Sequence, residues 1–189
     1  MRSGSLNPVG LFRHRNAIFN GAMDIWQRGT SFTGISNVVA YVADRWFAFG
    51  YSGASHSCSR QASSLQNFQY ALQLGRPNGN THAGAAYLCQ IFETIESVRF
   101  QGKILTISFY ARAGANFCGS ALSIIVSTGL GTDQSSSTFS GGPCAQFTGN
   151  AKVLDTTQVI TTSWVKYSFT TSVLGTGITQ LGLGIGYAT

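Results

Sequence analysis

The sequence predicts an all-β chain, an antiparallel sandwich of short strands, and three observations carry that reading. Apolar residues alternate with polar ones at period two in segment after segment, the pattern of strands with one buried face. No stretch sustains helical periodicity over ten residues; Glu93 to Arg99 comes nearest and is short. Charged residues make up 10% of the chain, against about 25% in ordinary soluble domains. Gly reaches 23, Ser and Thr abound, and Pro is held to 3, which suits strands and polar turns rather than solvated helices. At 189 residues the chain is long enough for one sandwich with a sizeable core.

Residues 1–14 carry no periodicity and include Gly4, Pro8 and Gly10, so they are expected to form a short N-terminal arm that orders only against a partner. The sandwich is expected to occupy 15–189. Ala17-Ile18-Phe19 reads as a first short strand that ends at Asn20-Gly21, a pair that favours positive φ and a tight turn. Val38 to Phe49 is a β-prone run with four aromatics, broken by Gly50 to Gly53. Phe68 to Leu74 places Tyr70, Leu72 and Leu74 on one face, and Arg76-Pro77-Asn78-Gly79-Asn80 is a turn by composition. Ala86 to Phe92 is the next strand, and Ile95 to Phe100 a turn or crossing.

Ile104 to Arg112 alternates most clearly, with Leu105, Ile107, Phe109 and Ala111 inward. Ala121 to Ser127 follows, then Trp164 to Thr171 with Val165, Tyr167 and Phe169 inward. In Gln180 to Tyr187, Leu181, Leu183, Ile185 and Tyr187 alternate with three glycines. A glycine-lined face of that kind is expected to lie against backbone or against aromatics of the facing sheet. Residues 128–143 are the longest irregular stretch, read as a solvated connection between sheets or as a contact loop for a sugar or a partner subunit.

Two phrases near the start are more specific. They are Asn16-Ala17-Ile18-Phe19-Asn20-Gly21-Ala22-Met23-Asp24-Ile25-Trp26-Gln27-Arg28-Gly29-Thr30-Ser31-Phe32 and Tyr41-Val42-Ala43-Asp44-Arg45-Trp46. Together they resemble the opening of a β-sandwich module of bacteriophage tail fibres and related virion appendages. Thr106 to Ala113 and Thr162 to Tyr167 also resemble phrases of that module. The resemblance implies a jelly roll similar to carbohydrate-binding modules. It also implies a virion structural protein made in the host cytoplasm, most simply a tail fibre or similar appendage for host-surface attachment, with glycan binding open. An architectural protein without sugar affinity (a capsid decoration or neck fibre) is the alternative, and a stand-alone carbohydrate-binding module a weaker one.

By analogy with that family a homo-oligomer is expected, a trimer first. Other virion proteins are expected to be met through the arm, with Leu6, Val9, Leu11 and Phe12 as apolar anchors and Arg13 and Arg15 as charged ones. The family's sandwich usually has one more apolar strand after the position of Tyr187. Either the polypeptide continues beyond Thr189 or a neighbouring subunit supplies that strand. The first is favoured, because residues 1–14 alternate too poorly to be donated.

Several functions are excluded. The net charge of +6 comes from 12 basic and 6 acidic residues, but the bases are scattered singly apart from Arg2, Arg13, His14 and Arg15, which argues against nucleic-acid binding. No apolar run is long enough to span a membrane, and Met1 to Pro8 lacks the apolar stretch of a secretory signal. Cys58, Cys89, Cys118 and Cys144 have no paired spacing and no adjacent His, so zinc and other cofactors are not expected. Cys118 and Cys144 flank one excursion and a bridge is conceivable, yet synthesis in a reducing compartment argues for free thiols. His14, His56 and His82 stand isolated in expected loops, and the six acids suggest no catalytic pair, which needs carboxylates roughly 5–10 Å apart. The chain therefore reads as non-enzymatic.

Sugar contacts in sandwiches come from exposed aromatics. Trp26, Trp46 and Trp164 sit in phrases that look structural and are assigned to the core. Tyr51, near a Gly-bounded loop, is preferred over Tyr41 and Tyr87 as a glycan contact, with Phe139 in the long loop as the second choice. Asp24, Arg28, Asp44 and Arg45 need pairing if they are not solvated. One Asp–Arg pair is expected to bridge the two phrases, against the alternative that all four lie on the rim.

Overall fold

The computed structural model describes residues 16–51, 53, 55–81, 84–117, 119, 121–135 and 143–188. The six docking residues assigned to the arm, together with His14, His82, Cys118 and Phe139, lie outside the described residues.

The fold is an all-β antiparallel sandwich of jelly-roll type. The strands are β1 (Ser31–Ile35), β2 (Val39–Tyr41), β3 (Phe47–Gly50), β4 (His56–Ala62), β5 (Tyr70–Gly75), β6 (Ala86–Phe92), β7 (Thr106–Ala111), β8 (Ala121–Gly129), β9 (Ala151–Gln158), β10 (Val165–Thr170) and β11 (Gln180–Ala188). One helical turn, α1 (Thr94–Ser97), follows β6 and runs into a 3-10 turn at Val98–Phe100. The large layer has the order β2-β3-β6-β11-β8-β9. The facing layer consists of β1-β4-β5 and the β10-β7 ribbon. Between the layers, Ala48, Leu88, Phe92, Val126, Leu181 and Leu183 of the large sheet meet Ile35, Cys58, Leu72, Leu74 and Ile107. A fully buried side chain of this size contributes about 1.5–3 kcal/mol.

Most strands fall where alternation places them, and three do not. β1 is interrupted by Gly34 at φ +73 and a register shift, which erases its periodicity. β4 alternates buried His56 and Cys58 with Ser57 and Ser59, so its inward face does not read as apolar. β9 is an edge strand whose pairing shifts opposite Val126 and Ser127. Ala17-Ile18-Phe19 is not a strand. The run Val38 to Phe49 folds back on itself: Val42 N–H donates to the Trp46 carbonyl at 3.0 Å, Trp46 N–H to that of Ala43 at 2.8 Å, and Arg45 takes φ +70.

β11 pairs along its length with β6 on one side and β8 on the other, so it presents no open edge. Its glycine face turns away from the facing layer, sharing a row with Phe47, Cys89 and Ile125. Gly186 lies against backbone, as expected, where a Cβ would strike the Ala86 carbonyl, but Gly182 and Gly184 are covered by the return leg of the β8–β9 connection rather than by aromatics of the facing sheet. A Cβ on Gly182 would strike Cys144, and one on Gly184 would strike Pro143. Pro143, Cys144 and Phe147 are buried there, whereas residues 130–135 at the start of the connection are mostly exposed.

On the β7–β10 ribbon the inward rings are half-buried, with Phe109 at 6.0 Å from Phe169 and 6.2 Å from Tyr167. Val165, assigned inward, is exposed at the ribbon's end.

Candidate functional site: a cleft built by the two opening phrases

The first phrase is wound about Asn20. Its residue φ of +47 makes the turn that Asn-Gly favours, and its carboxamide replaces a strand ladder. Asn20 Oδ1 accepts the N–H groups of Asp24 and Ile25, both at 3.1 Å. Its Nδ2 donates to the carbonyls of Ile25 at 2.9 Å and Asp44 at 3.1 Å. The second phrase returns these contacts. Asp44 N–H donates to the Ile25 carbonyl at 3.0 Å, and Asp44 Oδ1 accepts Gln27 N–H at 3.1 Å. Trp46 Nε1 donates to the Phe19 carbonyl at 3.0 Å.

The expected Asp–Arg bridge is therefore absent from the joint between the phrases. Arg45 turns instead to α1, with Nη1 at 3.0 Å from Glu93 and Nη2 at 3.0 Å from Glu96, and its guanidinium lies 4.4 Å from the centre of the Phe19 ring. Two carboxylates facing one planar fork satisfy it better than a single Asp held by a backbone N–H. Asp24 is exposed and, among the described residues, forms no ion pair.

This framework leaves two clefts on either side of Tyr41 and Arg45. One, of about 280 Å³, is lined by Gln27, Arg28, Tyr41, Asp44 and Arg45. The other, of about 230 Å³, runs from Tyr41 past Phe47 and Ile91 to Glu93, Asp133 and Gln134. Tyr41 stands between them, 48% exposed, with Phe47 edge-on at 5.8 Å and the Arg28 guanidinium 5.1 Å above its ring. The far wall is fixed by a reciprocal pair: Thr94 N–H donates to Asp133 Oδ1 at 2.7 Å, and Asp133 N–H to Thr94 Oγ1 at 3.0 Å. The hydrogen bonds from Thr94, that of its backbone N–H first, hold the Asp133 carboxyl below the usual carboxylate range. An exposed ring flanked by amides, carboxylates and guanidinium groups can take the apolar face of a pyranose and bind its hydroxyls.

Tyr51 lies in neither cleft. It is half-buried in the aromatic cluster on the outer face of the large sheet, with Phe49 at 4.9 Å and Tyr87 at 6.0 Å, both edge-on. Of the tryptophans, Trp46 is in the core and Trp26 packs against it, stacked with Phe32 at 6.5 Å. Trp164 departs from its assignment: it is half-buried outside the core, donating to Ser64 Oγ at 3.0 Å beneath Arg112. His56 is in no loop. It sits buried on β4, its Nδ1 at 2.8 Å from the Tyr187 hydroxyl, spanning the two layers. Cys58, Cys89 and Cys144 are free and buried. Among the described residues no group of three or more His, Cys, Asp or Glu is placed to hold a metal ion, and no helix is long and apolar enough to cross a membrane.

Sequence reasoning ranked Tyr41 behind Tyr51 and did not single out Gln27, Asp133 or Gln134. The available signal was position: Tyr41 ends a three-residue edge strand, where one side of the ring stays open.

A scan against protein-family profiles and a search of curated proteins both found no match. Among solved structures, the enzymatically active domain of tailspike protein 4 of bacteriophage CBA120 aligns with 92% of the chain at 11% identity and a TM-score of 0.48. The chain spans 19% of that protein's length. A CBM4 structure aligns with 91% of the chain and 92% of its own length, at 15% identity and a TM-score of 0.41.

Proposed function

We propose that this chain is a virion structural protein, a tail fibre or comparable appendage, that contacts a host-surface glycan through the cleft beside Tyr41. One observation carries the reading. All five residues lining the larger cleft belong to the two phrases that resemble the virion-appendage module, Gln27 and Arg28 to the first and Tyr41, Asp44 and Arg45 to the second. The segments that give the resemblance are thus the segments that make the concavity. The role is binding without bond cleavage, since the nearby acids are spent on structure: Glu93 and Glu96 hold Arg45, Asp44 holds Gln27, and Asp133 holds Thr94. Partners in this reading are other virion proteins through residues 1–14 and further copies of the chain, three in all.

The architectural alternative also has an observation behind it. The outward face of the β7–β10 ribbon sets Thr106 opposite Thr170 and Ser108 opposite Ser168, with Lys166 its one charge. Such a face packs against a neighbouring copy with a single ammonium, that of Lys166, to keep in water.

A glycan array probed with the native chain and with Tyr41→Ala tests the proposal. Binding by the native chain that the variant loses, at unchanged melting temperature, supports it. No binding to any glycan by a chain shown trimeric in light scattering favours the architectural reading.

A further inference from the structure

We infer that Asn78 is a site of spontaneous covalent modification, a deamidation that the fold permits there and prevents at Asn20. The chain holds the dipeptide Asn-Gly twice, at Asn20-Gly21 and at Asn78-Gly79. In both, a glycine without Cβ leaves the following peptide nitrogen open to the Asn side chain. That nitrogen, after losing its proton to hydroxide, attacks the side-chain Cγ. The new C–N bond closes a succinimide as the Cγ–Nδ2 bond breaks, and the amide nitrogen leaves as ammonia with a proton taken from water. Water then opens the ring at either carbonyl and leaves aspartate or isoaspartate. Water is the one co-reactant, and nothing is oxidised or reduced.

The two sites differ in what already holds the reacting groups. Asn20 Oδ1 accepts the N–H groups of Asp24 and Ile25, and its Nδ2 donates to the carbonyls of Ile25 and Asp44. The carbonyl of the Asn20–Gly21 peptide unit is fixed as well, accepting Met23 N–H at 3.1 Å and Trp46 Nε1 at 3.3 Å. Cγ cannot swing onto the Gly21 nitrogen without breaking this set. At Asn78 neither partner is held. The residue is exposed, and among the described residues neither its carboxamide nor Gly79 N–H forms a hydrogen bond. A Cβ on Gly79 would meet nothing within 4 Å. The turn is pinned at its flanks, by Asn80 Nδ2 on the Ser55 carbonyl at 2.7 Å and Arg76 Nη2 on that of Gly84 at 3.0 Å, so the peptide plane between them can turn. Position matters too. This turn precedes Ala86 at the start of β6, whereas the clefts flank Arg45, which is tied to Glu93 past the other end of that strand. Conversion of Asn78 removes one unit of positive net charge far from the cleft. Conversion of Asn20 would set a carboxylate oxygen against the carbonyls of Ile25 and Asp44 and dismantle the framework. The hydrogen bonds that shape the cleft thus protect the residue on which they converge.

The test incubates the folded full chain at mildly alkaline pH and follows both dipeptides by peptide mapping, with isoaspartate detected by enzymatic methylation. A guanidinium-unfolded sample runs beside it. In the folded chain Asn78 is expected to convert at least about tenfold faster than Asn20, since several hydrogen bonds must open before Asn20 can react. In the unfolded chain the two should convert at similar rates, because the dipeptide is the same. Asn78→Gln, whose longer side chain closes the ring poorly, should remove the acidic species that ion exchange resolves from the aged folded protein. Equal conversion of the two residues in the folded chain overturns the protection of Asn20. Conversion of Asn78 only after unfolding, or an acidic species that persists in Asn78→Gln, overturns the assignment of Asn78.

Discussion

Gln90 holds the peptide unit of Phe19 at both ends: Gln90 Oε1 accepts Phe19 N–H at 2.9 Å, and Gln90 Nε2 donates to the Phe19 carbonyl at 2.9 Å. Gln90 is fully buried on β6, so this pair acts as a two-rung ladder where the backbone forms none. It fixes the first phrase against the large sheet, and the Trp46 indole adds a third bond to the same carbonyl.

Gln90→Ala should therefore cost about 2–4 kcal/mol, combining two lost hydrogen bonds, an orphaned buried N–H and a cavity. Gln90→Glu keeps the acceptor but loses the donor and buries a charge, so it should be no better. Urea denaturation of both variants measures this. A loss below about 0.5 kcal/mol for Gln90→Ala would contradict the pairing.

The joint between the phrases should behave as a hydrogen bond rather than an ion pair. Asp44→Ala should lower stability by about 1–2 kcal/mol, since Gln27 N–H loses its acceptor. Asp44→Asn, which retains a carbonyl oxygen, should recover most of that, and added salt should change neither. Arg45→Ala should cost at most about 1 kcal/mol, because Glu93 and Arg45 are well exposed and the bridge is screened. Thermal melts at low and high salt separate the two cases: a salt-sensitive Asp44 effect would restore the ion-pair reading.

His56 should make the fold acid-sensitive. Burial first, and then the Arg76 guanidinium, lower its pKa from 6.5 to about 4. The unfolded chain thus takes up a proton near pH 6.5 while the folded chain refuses it until about pH 4. Stability from this group is whole above pH 6.5 and is lost as pH falls towards 4, by at most about 1.4 kcal/mol per pH unit. Denaturation midpoints between pH 7 and pH 4 should fall, and His56→Gln should flatten that slope while lowering stability at pH 7. An unchanged slope in the variant would assign the acid sensitivity elsewhere. The ring is wedged against Gly50, where a Cβ would strike both His56 and the Ile35 carbonyl.

Legibility followed the kind of interaction that holds each segment. β5, β7 and β11 were plain in the sequence because apolar residues recur at alternate positions, a period-two trace, and β6 because it is a short apolar run buried on both faces. β4 left none, since its inward positions are His56 and Cys58, and His56 counts as core only once its Nδ1 is seen to meet the Tyr187 hydroxyl. Phe19 was misread as strand for the converse reason: its apolar neighbours suggest a ladder, while its bonds go to a side chain 71 residues away. The cleft was half legible. The phrases that build it stood out, but Asp133 reaches it through Thr94, a long-range pairing that no local pattern encodes.

The glycine face of β11 yields the last prediction. Gly182 and Gly184 let Cys144 and Pro143 lie directly on the sheet, so each glycine is required by close approach rather than by backbone angle. Gly182→Ala should be destabilising by about 1–3 kcal/mol, because a Cβ there meets the Cys144 sulfur and the Phe147 ring. The strain should be relieved by lifting the segment that starts at Pro143, and Cys144 reports that movement. In the native protein burial pushes its thiol up to about 12 and encloses it, so alkylation at neutral pH should be slow. In Gly182→Ala the same thiol should react at least about tenfold faster, as local opening becomes cheaper by the energy of the overpacking. Peptide mapping after timed alkylation locates the label. Cys58, which is buried between the layers on the other side of the large sheet, is the internal control and should stay slow. Acceleration of Cys58 together with Cys144 would mean global unfolding rather than release of this segment, and no acceleration at either thiol would mean that the sheet, not the segment, yields to the added methyl.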